Sequence, residues 1–468
     1  MLLQWLAVGL ILPCAVCKDG LRTLCPTYAT SSCRPEEAEA AATDGAYYWN
    51  QQKGGASRTG YSPFPVTVDL AKGPAWQWRD PHNETIRTSP LIDDKLNMYL
   101  TTLGGHIYKL SQDGRILWTY QAPGESFPGV SALLDGQLFV STRSGHVFSV
   151  DMEKGSEVWK VRISQETGAD GVSIFAFNKT LILATLLPRP VIPHVLNGGN
   201  SKVVALNAHD GSLKWMFHPD THVQHFQASS PGDGSVIFQD KSGGLYRLSI
   251  DDGRLIWRSG FLKRQWASSA ASVVDDGVVF SLYNMQVKAV PLDLGQLTAH
   301  RLDNGQYLYG HMIFHTANQA PAVGKLGKGD KRSVVAALGD PIFWNAMYRY
   351  IGFGYHWSVA LGAYLISMVA PKSWFPYGQR VAIVAFDADT GASQWRYELE
   401  VPPHEADPTA NTWACQHSPC SQPIIGGDGT VYVACGAGKV WGIRDANGDG
   451  FINPATEVSS FDAGDGWQ

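Results

Sequence analysis

Charge is scarce in this chain. Asp, Glu, Lys and Arg together make up 17% of 468 residues, and the net charge is −5. That balance leaves no electrostatic footprint for nucleic acid. Catalytic signatures are missing too: no G-x-S-x-G, H-E-x-x-H or P-loop occurs. Cysteine is sparse, at seven residues, and beyond residue 17 none stands in the C-x-x-C spacing of a zinc site. What is abundant is glycine, at 49 residues, and tryptophan, at 16. Many turns with many large aromatic anchors point to an all-β chain, and 44% hydrophobic content supplies a large core.

The clearest apolar run opens the chain. Residues 2–17 read LLQWLAVGLILPCAVC, with no Lys or Arg before the run. Ala15 and Cys17 are small residues at the −3 and −1 positions of a cleavage site. The length fits a secretory signal over residues 1–17 better than a membrane anchor. Its removal leaves Cys25, Cys33, Cys415, Cys420 and Cys435. The spacing suggests local disulfides Cys25–Cys33 and Cys415–Cys420, with Cys435 left over. Two sequons, at Asn83 and Asn178, agree with a secreted or endomembrane-lumen glycoprotein.

Internal repetition carries the most information. YLTTLGGHIYKLSQDGRILW ends at Trp118, LFVSTRSGHVFSVDMEKGSEVW at Trp159 and VIFQDKSGGLYRLSIDDGRLIW at Trp257. Each is a β-rich run, a Gly turn, an alternating run, a second Gly turn and a short strand closing on Trp. VVALNAHDGSLKW ends at Trp215, VAIVAFDADTGASQW ends at Trp395, and a looser copy ends at Trp78. Trp78, Trp118 and Trp159 recur every 40–41 residues, and Trp215 to Trp257 is 42. The longer step from Trp159 to Trp215 holds the Pro/Gly-rich LPRPVIPHVLNGGN. About forty residues and four strands per unit is the period of a propeller blade. Alternation along HIYKL and HVFSV puts one side of each strand inward. A blade cannot bury both its faces alone, so neighbours stack and the ring closes. Each terminal Trp can lie over the backbone of the adjacent blade.

This pattern resembles the pyrroloquinoline-quinone (PQQ)-type repeat, shared by quinoprotein alcohol dehydrogenases and by an outer-membrane assembly lipoprotein that acts as a propeller scaffold. WNQQKGGASRTGYSP, at residues 49–63, is similar to the lead-in before the first blade of such proteins. The resemblance covers about residues 48–450 and speaks for fold, not activity. Outer-strand ends at Trp78, Trp118, Trp159, Trp215, Trp257, a degenerate one near His300, Trp395 and a last one after Asp445 give eight blades. Seven is the alternative if the last segment completes the first blade. The expected layout is a signal at 1–17, a cysteine-containing segment at 18–47, the propeller at 48–461 with an insertion at about 320–378, and a tail at 462–468.

The insertion has no charged residue from Tyr350 to Pro371 and carries aromatics at both ends, Trp344 to Tyr377. Membrane contact through it is one reading. Packing on the propeller face or a degenerate blade with buried strands is favoured over it, because Gly352, Gly354, Gly362 and His356 interrupt the run, and aromatics lining a ligand or partner surface are a third reading.

Two cofactors come into question. DANGDGFINPATE places Asp445, Asn447, Asp449, the Phe451 carbonyl, Asn453 and Glu457 like the oxygen donors of a calcium loop. The twelfth position is Thr456, however, and the segment also stands where DADTG forms an ordinary blade turn. The resemblance would imply PQQ stacked over Ca²⁺ at the axis. PQQ is disfavoured, because that family's dehydrogenases commonly carry adjacent cysteines beside the cofactor and this chain has no Cys-Cys pair. His106 and His146 stand at equivalent repeat positions, which argues for scaffold over ligand. The reading favoured is a secreted or lumenal propeller that binds a protein or glycan partner through its loops, with no catalytic residue assigned. A PQQ/Ca-dependent alcohol dehydrogenase-like oxidoreductase is the alternative.

Overall fold

The computed structural model describes residues 47–64, 69–86, 88–164, 173–185, 200–260, 265–267, 271–286, 293–313, 315–327, 331–339, 379–401, 420–435 and 438–463. These form seven antiparallel sheets in sequence order, the blades of a β-propeller. Blade 1 runs from Leu91–Ile92 to Ile116–Gln121 and blade 2 from Ala132–Leu134 to Glu157–Arg162. Blade 3 runs from Phe175–Phe177 to Leu213–Phe217. Blade 4 spans Ser235–Gln239 to Leu255–Ser259, and a bridge from Ser229 to Ile237 supplies its innermost strand. Blade 5 ends at Tyr307–Ile313, blade 6 at Ser393–Val401 and blade 7 at Val458–Asp462. Of the two counts that the sequence allows, seven is the one observed.

The alternation along the strands has a different meaning from the one expected. Middle strands are buried on both sides: Ser235–Gln239 and Thr180–Thr185 are buried throughout. Successive side chains divide between two seams instead of between core and water. In blade 1, Tyr99 and Ile107 pack toward blade 2 with Leu138 and Phe148. Met98, Leu100, Tyr108 and Leu110 pack on the opposite side with Trp76 and Trp78. Only the outer strands alternate with solvent, as Ile116–Gln121 does.

The terminal aromatics clamp each blade to the next. The indole N–H groups of Trp118, Trp159, Trp215 and Trp257 donate to the carbonyls of Met152, Ala208, Ile250 and Leu302, at 3.0, 3.1, 2.8 and 2.7 Å. In blade 5 the Tyr309 hydroxyl donates to the Ala388 carbonyl at 2.6 Å. Tyr309, in Tyr307–Ile313, is therefore the blade-5 clamp, and the segment near His300 is the third strand, not the outer end. Its signal was the Asp303-Asn304-Gly305 turn just before it. Under each ring lies the turn glycine of the next blade. A Cβ at Gly155, Gly253, Gly305 or Gly391 would stand 2.6, 2.6, 2.7 or 2.5 Å from the ring, and φ there is 67–73°. Only glycine meets both demands. In two seams a cation reinforces the clamp: Lys109 and Arg247 donate to the same Met152 and Leu302 carbonyls, at 2.9 and 2.6 Å.

The last seam is closed by the segment before blade 1. Leu70 packs in blade 7 with Tyr432 and Val440. Trp76 lies over Gly114, the blade-1 turn glycine, as the other clamps do. Trp78, expected to end a blade of its own, instead meets Tyr108 edge-on at 5.2 Å and lies outside any strand. An eighth blade disappears with it. Trp395 is 4% exposed within the core shared by blades 6 and 7.

Because strands alternate in direction, the first-to-second and third-to-fourth connections share one face, which is built of tight turns. The second-to-third connections and those between blades share the other. The stretches 165–172, 186–199, 287–292, 340–378 and 402–419 lie outside the described residues, and all join strand ends on that second face. The expected insertion narrows accordingly. Ala322–Lys325 and Arg332–Gly339 are blade-6 strands, and only residues 340–378 separate Arg332–Gly339 from its partner Gln379–Asp387. Trp344 to Tyr377, where membrane contact is the less favoured reading, lies outside the described residues, as do the signal and the Cys25–Cys33 pair. Among the described residues, no helix is long and apolar enough to cross a membrane.

Candidate functional site

In a propeller that holds a cofactor at its axis, the walls are the free edges of the innermost strands. Here that space is filled by the chain itself. Residues 49–62 pass the seven inner edges in order. Trp49 exchanges backbone hydrogen bonds with Ile92 of blade 1 at 3.0 and 2.9 Å. The Asn50 carbonyl accepts from Leu133 of blade 2 at 2.7 Å. The Gln51 side-chain amide both donates to and accepts from Ala176 of blade 3, each at 3.2 Å. The carbonyls of Ala56, Ser57 and Thr59 accept from Ser230, Val274 and Val323 of blades 4, 5 and 6, at 2.8, 3.1 and 2.8 Å. The Gly60 carbonyl accepts from Ile425 of blade 7, and Ser62 donates back to it, both at 2.8 Å. Edge groups that would otherwise stay unpaired inside the ring are thus satisfied. A further bond, Gln422 to Gln227 at 2.9 Å, ties blade 7 to blade 4 across the ring.

Two cations sit in this plug. Lys53 and Arg58 are 4% and 1% exposed. Arg58 donates to the carbonyls of Ala228, Gln52 and Ile174, and Lys53 to that of Pro321. Neither makes an ion pair among the described residues. Burial pulls the Arg58 pKa down to about 9, and burial beside Arg58 pulls that of Lys53 well below the usual range. The axis therefore carries amides, carbonyls and cations. No group of three His, Cys, Asp or Glu suited to a metal occurs among the described residues. Residues 49–62 themselves offer no carboxylate to hold the Ca²⁺ of a Ca²⁺–quinone pair.

The Asp445–Glu457 loop spends its acceptors on its own backbone. Asp445 accepts from Gly448 and Gly450 at 2.8 and 3.0 Å, and Asp449 from Phe451 at 2.8 Å. Glu457 accepts from Ala446 and Asn453, both at 2.8 Å. The Asn447 side-chain oxygen accepts from Asp449 N at 2.9 Å and its amide donates to the Asp449 carboxylate at 2.9 Å. The loop is the third-to-fourth connection of blade 7, so it occupies the place of a blade turn. Ile452 packs there in the same core as Trp395. Phe451 is 68% exposed.

The repeated histidines staple the long-connection face. His106 Nδ1 lies 2.8 Å from Glu84, and His146 Nδ1 lies 2.9 Å from Glu125, each carboxylate coming from the segment before that blade. Glu125 also accepts from Ser144 and Lys160. Burial pushes its pKa up, but these bonds outweigh burial and leave it lowered. The blade-7 end of this face carries a disulfide, Cys420–Cys435, across a bridge between the two residues. This corrects the expected Cys415–Cys420 pair. Register places Cys435 opposite Cys420, and sequence proximity favoured the wrong partner. Cys415 lies outside the described residues. Asn83 and Asn178 are exposed, both with positive φ. On the tight-turn face a cleft of about 590 Å³ lies between blades 4 and 5. Its Arg247 and Arg301 are already paired with Asp233 and Asp303.

The family model for the outer membrane protein assembly factor BamB matches residues 39–184 and 128–323, more than half of the chain. The chain belongs to this family of PQQ-like repeat propellers. BamB of Yersinia pestis is 23% identical over 248 residues, which cover 43% of this chain and 61% of that protein. Quinohemoprotein alcohol dehydrogenase ADH-IIG of Pseudomonas putida is 23% identical over 270 residues, or 53% of this chain and 36% of that protein. The chain thus spans less than two thirds of either relative. A europium-containing methanol dehydrogenase superposes with a TM-score of 0.55 at 12% identity, over 89% of this chain and 86% of that one. At that identity the likeness is one of fold.

Proposed function

We propose that this protein is an extracytoplasmic scaffold, a rigid disc that binds a protein partner through its long-connection face. The observation that carries the reading is the filled axis. Residues 49–62 run through the ring bonded to every blade and bring no carboxylate with them. Binding surface is then left to the faces, and the variable connections gather on one of them. Membership of a family named for an assembly factor agrees with a protein partner. The Cys420–Cys435 disulfide agrees with an oxidising compartment.

Photo-crosslinking tests this. Crosslinkers placed at Ser144 and Lys241, on the long-connection face, should trap one protein, while those at Asp113 and Asp252 on the tight-turn face should not. Adducts confined to the tight-turn positions, or adducts to glycan instead of protein, would overturn it. The runner-up is a PQQ- and Ca²⁺-dependent oxidoreductase, supported by the dehydrogenase relatives. Adding both cofactors with an artificial electron acceptor and a panel of alcohols separates the two: turnover would replace the scaffold reading. The Asp445–Glu457 loop has calcium-loop residue types, and Ca²⁺ there would add rigidity at the blade 6–7 seam. A melting temperature unmoved by added Ca²⁺ would remove that proposal.

A further inference from the structure

We infer that the propeller axis is a peptide-binding channel, occupied in cis by the chain's own residues 49–62. The occupant is recognised as a bound peptide is. Its carbonyls take amide protons from blades 2, 4, 5, 6 and 7, and Trp49 pairs with blade 1 in both directions. Main-chain bonds of this kind give affinity, and side chains in fixed pockets give register. The pockets are present. Gln51 replaces the backbone at blade 3, Lys53 reaches blade 6, and Arg58 spans blades 3 and 4. Tight local geometry fits the segment to the ring. Gln51 and Gly54 exchange hydrogen bonds at 3.1 Å, and Gly54 and Gly60 have φ of 101° and 66°. The ligand class is a short, uncharged-to-cationic, glycine-containing strand.

Beyond the segment the chain turns outward: Pro63, Phe64, Asp69, Ala71 and Lys72 are exposed, whereas Asn50 to Lys53 and Arg58 are buried. This stretch holds blade 7 through the Phe64 carbonyl, which accepts from Gly427 at 3.0 Å, and through Leu70. Cutting between those two contacts removes only the covalent link that keeps the peptide at high effective concentration. The blades and the strap are therefore separable in covalent terms and inseparable in energetic terms. The ring is complete only with its axis filled.

The test uses the full chain with a protease site inserted between Phe64 and Asp69, folded first and cut afterwards. The strap should remain on the propeller through gel filtration, and the melting temperature of the cut protein should become concentration-dependent, as for a two-part complex. If the strap instead leaves, the remaining chain should lose its cooperative melting. In the cut protein Arg58→Met, which removes bonds from a charged donor, should release the strap at least about tenfold faster. A strap that departs with melting unchanged, or that stays while melting is independent of concentration, overturns the inference. So does equal release from the Arg58→Met protein.

Discussion

The two faces of the disc are made by different rules. On the tight-turn face every seam from blade 1 to blade 6 repeats one device, an aromatic hydrogen-bonded to a carbonyl and lying on a glycine. On the long-connection face blades 1 and 2 share one staple, Glu84–His106 and Glu125–His146, but blade 4 uses another, Asp240 accepting from Tyr246 at 2.8 Å. Blade 7 adds a disulfide. A repeated device marks what the ring needs in order to exist. A varied one marks where sequence is free to serve something else.

Substitutions should separate the faces by size of effect. Trp215→Ala or Trp257→Ala should cost the most, about 3–5 kcal/mol, because each removes a buried ring and leaves a cavity. Chemical denaturation midpoints measure this, and a loss below 1 kcal/mol would place the clamp outside the energetics of the ring. Gly253→Ala follows at about 2–4 kcal/mol, combining φ strain with overlap on Trp215. Gly232→Ala is its control: φ is 87° there but nothing stands within 4 Å, so only the strain of about 1 kcal/mol remains. Equal effects at the two glycines would mean that ring contact contributes nothing.

Acid should act on both faces. Asp387, in the blade-6 turn, is pushed up by burial, yet Lys331 and bonds from Thr390 and Asp389 hold its pKa down to about 2. Its folded value lies below the ordinary one of 3.8, so its contribution is present above pH 4 and is lost as pH falls toward 2. Glu125 shifts in the same direction. Stability should therefore decline below about pH 4.5, and Asp387→Asn should flatten that decline in a pH series of denaturation midpoints. The smallest effect on stability is expected from exposed polar positions of the long-connection face. Arg143→Ala should stay within about 0.5 kcal/mol.

The repeat period, the blade turn and most clamp residues were legible in the sequence, because a tryptophan four residues after a turn glycine recurs at near-fixed spacing. Tyr309 escaped because a phenol does the indole's work. Trp76 escaped because its segment lacks the turn that marks the others, and Trp78 was counted in its place. The Cys420–Cys435 pair needed strand register, which spacing does not report. The plug was visible only as a lead-in. Its contacts run through backbone groups and long polar side chains, so no hydrophobic period betrays a buried course. Lys53 and Arg58 read from sequence as surface charges.

Hydrogen exchange along residues 49–62, with and without PQQ and Ca²⁺, bears most directly on the central claim that the chain fills its own axis. The account predicts amides as slow as those of the blade strands, unchanged by the cofactors. Fast exchange in the free protein that slows on their addition would contradict it, and would return the axis to a ligand.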